Sequence, residues 1–380
     1  MKSKKFWKRI LIVLILVPTL IVGGLVQYIR SNQSEIIKGE IEKLNKEYKG
    51  LVQIEESEFT LWRNFPYISL KVNDVQIFES KEENAPVIID VKDIYVGFNL
   101  SDILEGNYDV QSIIVEDGLF NIVIHEDGSL NLTNSLAIAN LDTTATEAES
   151  SATNFHLERI QLNNLKIHSI DSINKTDTEM FVNSAKGGFS LSDSLIMGHI
   201  DTDFDYELTE IGGKPIVNKK HIEIHTDVEF NEQTGIVDIQ PSGLMMENGD
   251  FELEGFVDMK KADLDLTFKG KKPNFDMFIA FAPADVISVL EKYKNAGDIY
   301  FEARVDGSFS NGNMPSINAD FGVGKGFLEN TAQDRKIDKM GFVGHFTNGV
   351  KRNASTMEFS LTDMTASLGK GEFKGSVVVN

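Results

Sequence analysis

Several stretches hold residues whose types and spacing suit chemistry. His221 and His225 in HIEIH stand four apart, the separation that lets two imidazoles on a helix share a metal ion. The neighbours Ile222 and Ile224 alternate with polar residues, however, so HIEIH reads as a strand, where residues four apart are about 13 Å from one another. Asp201, Asp203 and Asp205 in DTDFDYE match the opening of a calcium loop, but Tyr206 stands where the sharp turn needs glycine and Gly212 where the last carboxylate belongs. Gly322–Leu328, GVGKGFL, lacks the spacing of a phosphate-cradling loop, and its glycines suit a β bend. Asn131-Leu132-Thr133 fits a glycosylation sequon, a tripeptide common by chance. No Gly-x-Ser-x-Gly elbow or His-Glu-x-x-His motif occurs. These residues therefore give no catalytic, cofactor-binding or metal assignment, and the expectation is a protein that is not an enzyme.

Composition narrows the class. The chain has no cysteine, which removes disulfides, thiolate metal sites and a cysteine nucleophile. Its net charge of −21 is unevenly spread: residues 1–30 carry six bases and no acid, leaving 31 bases against 58 acids in the rest. Such an acidic body is repelled by nucleic-acid phosphates, so no nucleic-acid partner is expected. The basic start MKSKKFWKR precedes the uncharged run Ile10 to Ile29, long enough at about 1.5 Å per residue to cross a hydrocarbon core of roughly 30 Å. Trp7 and Tyr28 bracket this run as interfacial anchors around Ile10, Leu16 and Leu20, and the basic cluster marks the cytoplasmic side. The competing reading is a cleaved leader, with Val22-Gly23-Gly24 near the cut, but the apolar run continues through Leu25 and Val26.

The rest of the chain must position whatever function exists. Residues 31–49 have apolar side chains at helical spacing, and from Gly50 the period changes to two. Ile222, Ile224, Val228 and Phe230 share a parity; so do Leu264, Leu266 and Phe268, and so do Ile299, Phe301, Ala303, Val305 and Phe309, with Phe321 in the strand that follows. Asn73-Asp74, Asp117-Gly118, Asn163-Asn164, Asn248-Gly249 and Asp306-Gly307 read as turns between such strands, as does Asp127-Gly128. LKVNDVQIF (Leu70–Phe78), IIVEDGLFN (Ile113–Asn121) and IQLNNLKIH (Ile160–His168) echo one another, each with a polar pair where the parity slips by one, as a bulge or turn would make it. At about eleven residues per strand and turn, the body would hold about 30 strands. Helices are few: Ser101 is placed to cap a turn over SDILEG, and residues 283–294 have helical spacing. The small polar stretch 137–154 reads as a linker. The expected regions are thus 1–30, tail and transmembrane anchor; 31–136, juxtamembrane helix and first β region; 137–154, linker; and 155–380, second β region.

Phe65-Pro66 followed by alternating Ile68, Leu70 and Val72, then Leu104-Glu105-Gly106 and Asp127-Gly128-Ser129-Leu130-Asn131, and later GDIYFEARVDGSFSNGNMPSINADF from Gly297, resemble the AsmA family of bacterial envelope proteins. The resemblance implies a mostly β fold, an N-terminal transmembrane helix followed by an elongated, curved antiparallel sheet with few short helices. It also implies a single-pass protein of the cell inner membrane, N-terminus cytoplasmic and body periplasmic, that holds phospholipid acyl chains in a β groove and supports lipid transport or outer-membrane assembly. The lining candidates are the same-parity residues Ile222, Ile224, Val228, Phe230, Leu264, Leu266, Phe268, Phe301, Val305, Phe309 and Phe321. Two alternatives stay open. The same residues could be the packed core of a sandwich or barrel, since alternation specifies a buried face without saying what buries it; or the protein could be an envelope scaffold binding other envelope proteins through β edges. Removing residues 1–30 is expected to move the protein from the membrane pellet to the supernatant on cell fractionation; a mature N-terminus at Gly24 or Leu25 would establish a cleaved leader instead.

Overall fold

The computed structural model describes residues 38–39, 41–60, 63–105, 109–135, 137, 157–192, 195–213, 215–272, 274–281, 292–310, 313–330 and 332–379. Trp7, Ile10, Leu16, Leu20 and Tyr28, nearly all of the 137–154 stretch and most of the helix expected over 283–294 lie outside these residues. Among the described residues no helix is long and apolar enough to cross a membrane. The chain forms two compact units, Met1–Asn121 with Asn131–Leu157, and Ile122–Leu130 with Glu158–Asn380.

The fold is mostly β. In the first unit β1 (Leu51–Gln53) and β2 (Glu56–Thr60) both pair with β3 (Ile68–Phe78), which continues to β4 (Val87–Phe98) and β5 (Val110–Ile124). β5 ends in residues counted with the second unit. The second unit is a meander of β6 (Arg159–Asp171), β7 (Thr176–Ser192), β8 (Leu195–Glu210), β9 (Pro215–Asn231), β10 (Ile236–Met246), β11 (Gly249–Asp258) and β12 (Asp263–Gly270), then β13 (Lys294–Ser308), β14 (Ser316–Asn330), β15 (Arg335–Thr347), β16 (Glu358–Leu368) and β17 (Gly371–Val379). Every strand of the meander is antiparallel to its sequence neighbours. Where the connection is short this is imposed, because a tight turn can only reverse the chain; β12 and β13 pair antiparallel across a longer connection.

The strands are longer and fewer than the sequence suggests. Seventeen are present among the described residues, and β7 and β9 each run to 17 residues. The reason lies in the polar pairs. Asp74, Asp117 and Asn164 have φ of 49°, 54° and 52°, yet each sits inside a strand, β3, β5 and β6, and Gly307 likewise lies within β13. Asn and Asp tolerate the left-handed region because their short side chains hydrogen-bond locally, so one such residue disturbs the strand without ending the ladder. Of the expected turns, Asp127-Gly128 closes a loop through Gly128 N–H to His125 O, and Asn248-Gly249 lies at the β10–β11 hairpin. GVGKGFL lies in β14, where the register against β15 shifts between Val323 and Leu328. The helix Leu100–Glu105 is capped two residues earlier than expected: Asn99 Oδ1 accepts from the Ser101 N–H at 3.3 Å and from its hydroxyl at 3.0 Å. Asn131, the sequon residue, is buried and donates through Nδ2 to Asn121 O at 2.9 Å, so it is not a surface acceptor for a glycan.

In the first unit the Phe65-Pro66 segment is held by a buried polar knot. Asn64 Nδ2 donates to Ser69 Oγ at 2.8 Å, and Ser112 Oγ donates to Asn64 Oδ1 at 3.1 Å, joining β3 to β5 through groups that burial would otherwise leave costly. The motif's polar neighbours are therefore structural.

The main buried cluster is in the second unit. The short helix Asp276–Ile279, with Phe275 before it and Ala280 after, lies on β11 and buries Leu244, Phe251, Leu253, Met277, Ile299 and Val323. Two glycines permit so close an approach: a Cβ on Gly270 would stand 2.0 Å from Met277 Sδ, and one on Gly249 would stand 3.0 Å from Ala280 Cβ. Phe251, 0% exposed, is the centre of this contact. Phe251→Ala is expected to lose about 3–5 kcal/mol of stability by leaving a cavity, to be read from urea unfolding; a loss below about 1 kcal/mol would mean the helix is not docked as described.

Candidate functional site

Register, more than any single residue, defines the candidate site. Directly opposed residues of antiparallel strands project on the same side. Ile196 on β8 opposes Phe230 on β9, which opposes Val237 on β10, then Val257 on β11 and Leu264 on β12. A second row links Gly198, Val228, Ile239, Gly255, Leu266, Val305 and Ile317 from β8 to β14. Ile222 faces Met246, Ile224 faces Leu244, Phe268 faces Leu253 and Ala303, and Phe301 faces Phe321. Ten of the eleven lining candidates thus fall on one apolar side of the second unit, and all ten are half-buried. Phe309 lies just beyond the end of β13 and is 39% exposed.

The chain covers part of this side itself. Phe278 packs its ring 5.7 Å from Phe321 and 5.8 Å from Phe342; Phe281 stacks 4.9 Å from Phe301 and sits edge-on to Phe251 at 5.6 Å. Ile222, Ile224, Leu266 and Phe268 pack against the same cluster. Val228, Phe230, Leu264 and Val305 are outside it and remain half-buried. The packed-core alternative therefore holds for the end next to the short helix, where it takes in Ile239 and Leu266 of the Val228 row, while Val228, Phe230, Leu264 and Val305 lie outside that cover.

The opposite side is polar and organised into cross-strand pairs. His221 and His225 lie on β9 and do not converge: His221 Nδ1 is 3.0 Å from Asp205 Oδ1, and His225 Nδ1 is 2.7 Å from Asp201 Oδ1. His199 Nδ1 approaches Asp227 at 2.7 Å, His168 Nε2 approaches Asp177 at 2.9 Å, and Arg304 makes two bonds to Asp265 at 2.8 and 2.6 Å. The three aspartates of DTDFDYE are thus strand-face partners of histidine and, for Asp203, of Asn183 Nδ2 at 2.8 Å. The hydrogen bond to Asp227, then the charge of Asp201, hold His199 above the usual histidine value. Burial pulls His221 down, but its bonds to Asp205 and Glu223 outweigh that and leave it raised.

One residue that the sequence reading passed over stands out on the apolar side. Lys220 shares the parity of Ile222 and Ile224 and is 6% exposed. Its parity on β9 was visible in the sequence; what the tertiary structure adds is its burial.

Raised histidine values give a signed pH dependence. The stabilisation from His199 and His221 is fully present below the unfolded value of about 6.5 and is lost as pH rises through the higher folded values. Melting temperature is therefore expected to fall as pH rises through the neutral range, and His199→Gln with His221→Gln to flatten that slope; an unchanged slope in the double variant would refute the assignment.

No curated protein matches the chain. A family model described as AsmA family matches residues 4–277, which takes in the Phe65-Pro66 segment, the strands through β12 and the start of the short helix. With most of its length matched and a mostly β, antiparallel architecture, the chain belongs to the AsmA family.

Proposed function

We propose that this protein is a membrane-anchored carrier or holder of phospholipid, whose acyl chains lie on the apolar side of the second unit. The observation that carries the reading is the pair of aligned rows through Val228 and Phe230, apolar across five or more consecutive strands yet only half-buried. A soluble domain gains roughly 25 cal/mol for each Å² of apolar surface removed from water, so such a face is stabilised by any apolar partner, and acyl chains supply one without demanding polar contacts. Family membership supports the same reading. The uncharged run Ile10 to Ile29 behind a basic N-terminus supports an anchor in the inner membrane with the body in the periplasm. The role is non-enzymatic: lipid transport or support of outer-membrane assembly, with phospholipid and the inner membrane as partners.

A second reading, a scaffold that pairs a β edge with other envelope proteins, draws on β17, which pairs with β16 and has all nine residues exposed, Phe373 and Val378 among them. The lipid reading draws on more of the molecule, the aligned apolar side that runs from β8 to β14.

The test is uptake of a fluorescent phospholipid from vesicles by delipidated protein. Val228→Glu and Leu264→Glu, each placing a carboxylate on the apolar side, are expected to lower uptake by about tenfold or more. Thr267→Glu, on the polar side opposite Arg304, is expected to leave it unchanged. Wild-type protein that acquires no phospholipid would overturn the reading.

A further inference from the structure

The connections of the second unit that join β9 to β10, β11 to β12, β13 to β14 and β15 to β16 all lie at one end of the meander, because successive strands alternate in direction. They form one continuous rim. The Met259 N–H donates to Gly235 O at 2.9 Å, the Phe309 N–H to Ala262 O at 2.9 Å, and Asn348 Nδ2 to Pro315 O at 2.8 Å, so each connection is bonded to the next. Apolar side chains stand out from it: Val350 is 95% and Met259 60% exposed, and Phe309 and Met314 are exposed as well. Cations are interleaved with them. Within residues 232–235, 259–262, 309–315 and 348–357 the bases are Lys260, Lys261, Lys351 and Arg352, and the one acid is Glu232, in a chain whose net charge is −21.

Lys261 is engaged by Asp258, with Nζ donating to Oδ2 at 2.8 Å. Lys260 and Arg352 rest on backbone instead: Lys260 Nζ donates to Gln233 O, and the Arg352 guanidinium lies against Gly307, where a Cβ would stand 2.9 Å from Nη1. A peptide group has no net charge to cancel theirs. Lys351 is exposed beside Val350. Apolar groups flanked by long cations suit the boundary between anionic headgroups and acyl chains, since the apolar group enters while the cations stay with the phosphates. The place of the rim gives it a use. Phe230, Val237, Val257 and Leu264, the half-buried row on the apolar side, each stand one residue inside a strand end of the rim, about 3.4 Å along the strand. A bilayer resting on the rim therefore lies next to that row.

We infer that this rim docks on the surface of an anionic phospholipid bilayer, with Val350 and Met259 entering among the headgroups and Lys260, Lys351 and Arg352 meeting the phosphates. Docking is a separate property from the holding of acyl chains proposed above, and either can fail without the other. Where both hold, the rim gives an acyl chain a way from bilayer to sheet that does not cross water.

Full-length protein carried in phosphatidylcholine nanodiscs is mixed with sucrose-loaded vesicles, either of phosphatidylcholine alone or of an equimolar mixture with phosphatidylglycerol, and the protein sedimenting with the vesicles is measured. Wild-type protein is expected to favour the anionic vesicles about tenfold or more. Lys260→Gln and Lys351→Gln are each expected to lower that partition about fivefold, and Val350→Asp about tenfold. Lys175→Gln with Lys370→Gln removes charge at the other end of the meander, in the β6–β7 and β16–β17 connections, and is expected to change nothing. Val350 and Lys351 are exposed, so their variants decide the matter if Lys260→Gln fails to fold, as judged by circular dichroism. Equal sedimentation of wild type with both kinds of vesicle overturns the inference, as does an equal loss in the rim variants and in the Lys175 and Lys370 pair. Nanodiscs that associate with one another without vesicles, through a contact that Val350→Asp abolishes, would assign the rim to a second copy of the chain and overturn it. Wild-type protein that takes up fluorescent phospholipid yet does not sediment with anionic vesicles overturns the rim and leaves the acyl-chain reading in place; selective sedimentation without uptake upholds the rim and removes that reading.

Discussion

Two-residue periodicity, carried in register from strand to strand, is the constraint on which this protein depends. In an antiparallel meander each turn reverses the chain, and directly opposed residues project on the same side. A row such as Ile196, Phe230, Val237, Val257 and Leu264 is therefore one physical surface assembled from five separate strands. A slip of one residue in any pair would send that strand's apolar residues to the polar side. The cross-strand pairs opposite, Asp201 with His225, Asp205 with His221 and Asp265 with Arg304, work against such a slip, since each bond forms in one register only. Exposed pairs of this kind add little stability individually, about 0–1 kcal/mol, so their part is in specifying alignment.

A sheet with one apolar side needs cover, and the second unit supplies it unevenly. The helix Asp276–Ile279 seals the region around Phe251 with Met277, Phe278 and Phe281, using the space that Gly249 and Gly270 leave. Val228, Phe230, Leu264 and Val305 have no part in that cluster, although Ile239 and Leu266 of the Val228 row pack against it. One continuous pattern of alternation thus serves two ends, a conventional packed core and a half-covered strip, and the difference between them is made by a four-residue helix that the alternation itself does not encode. Lys220, 6% exposed, lies on this same side.

The strand-versus-helix question at HIEIH shows how much a local pattern can settle. Ile222 and Ile224 set the period, the period sets the strand, and the strand separates His221 from His225 so that each meets a different aspartate. The same logic placed ten of the eleven lining candidates on one side. Phe309 lies just past the end of β13 and is 39% exposed, outside the paired rows. The same logic failed in counting strands, because an Asn or Asp flanked by polar residues has the same composition whether it turns the chain or sits left-handed inside a strand.

What the sequence by itself determined is the class of the fold, the polarity of each strand's two sides and the family, since these follow from local alternation and composition read along the chain. What only the tertiary structure decided is which polar pairs interrupt strands rather than end them, which part of the apolar side the chain covers with its own helix, and that Lys220 is buried. Those outcomes depend on neighbours brought together from distant parts of the chain: β3 and β4 hold their ladder on both sides of Asp74, Met277 reaches Gly270, and Lys220 meets Tyr206 across β8 and β9. Local residue patterns carry no information about contacts of that range.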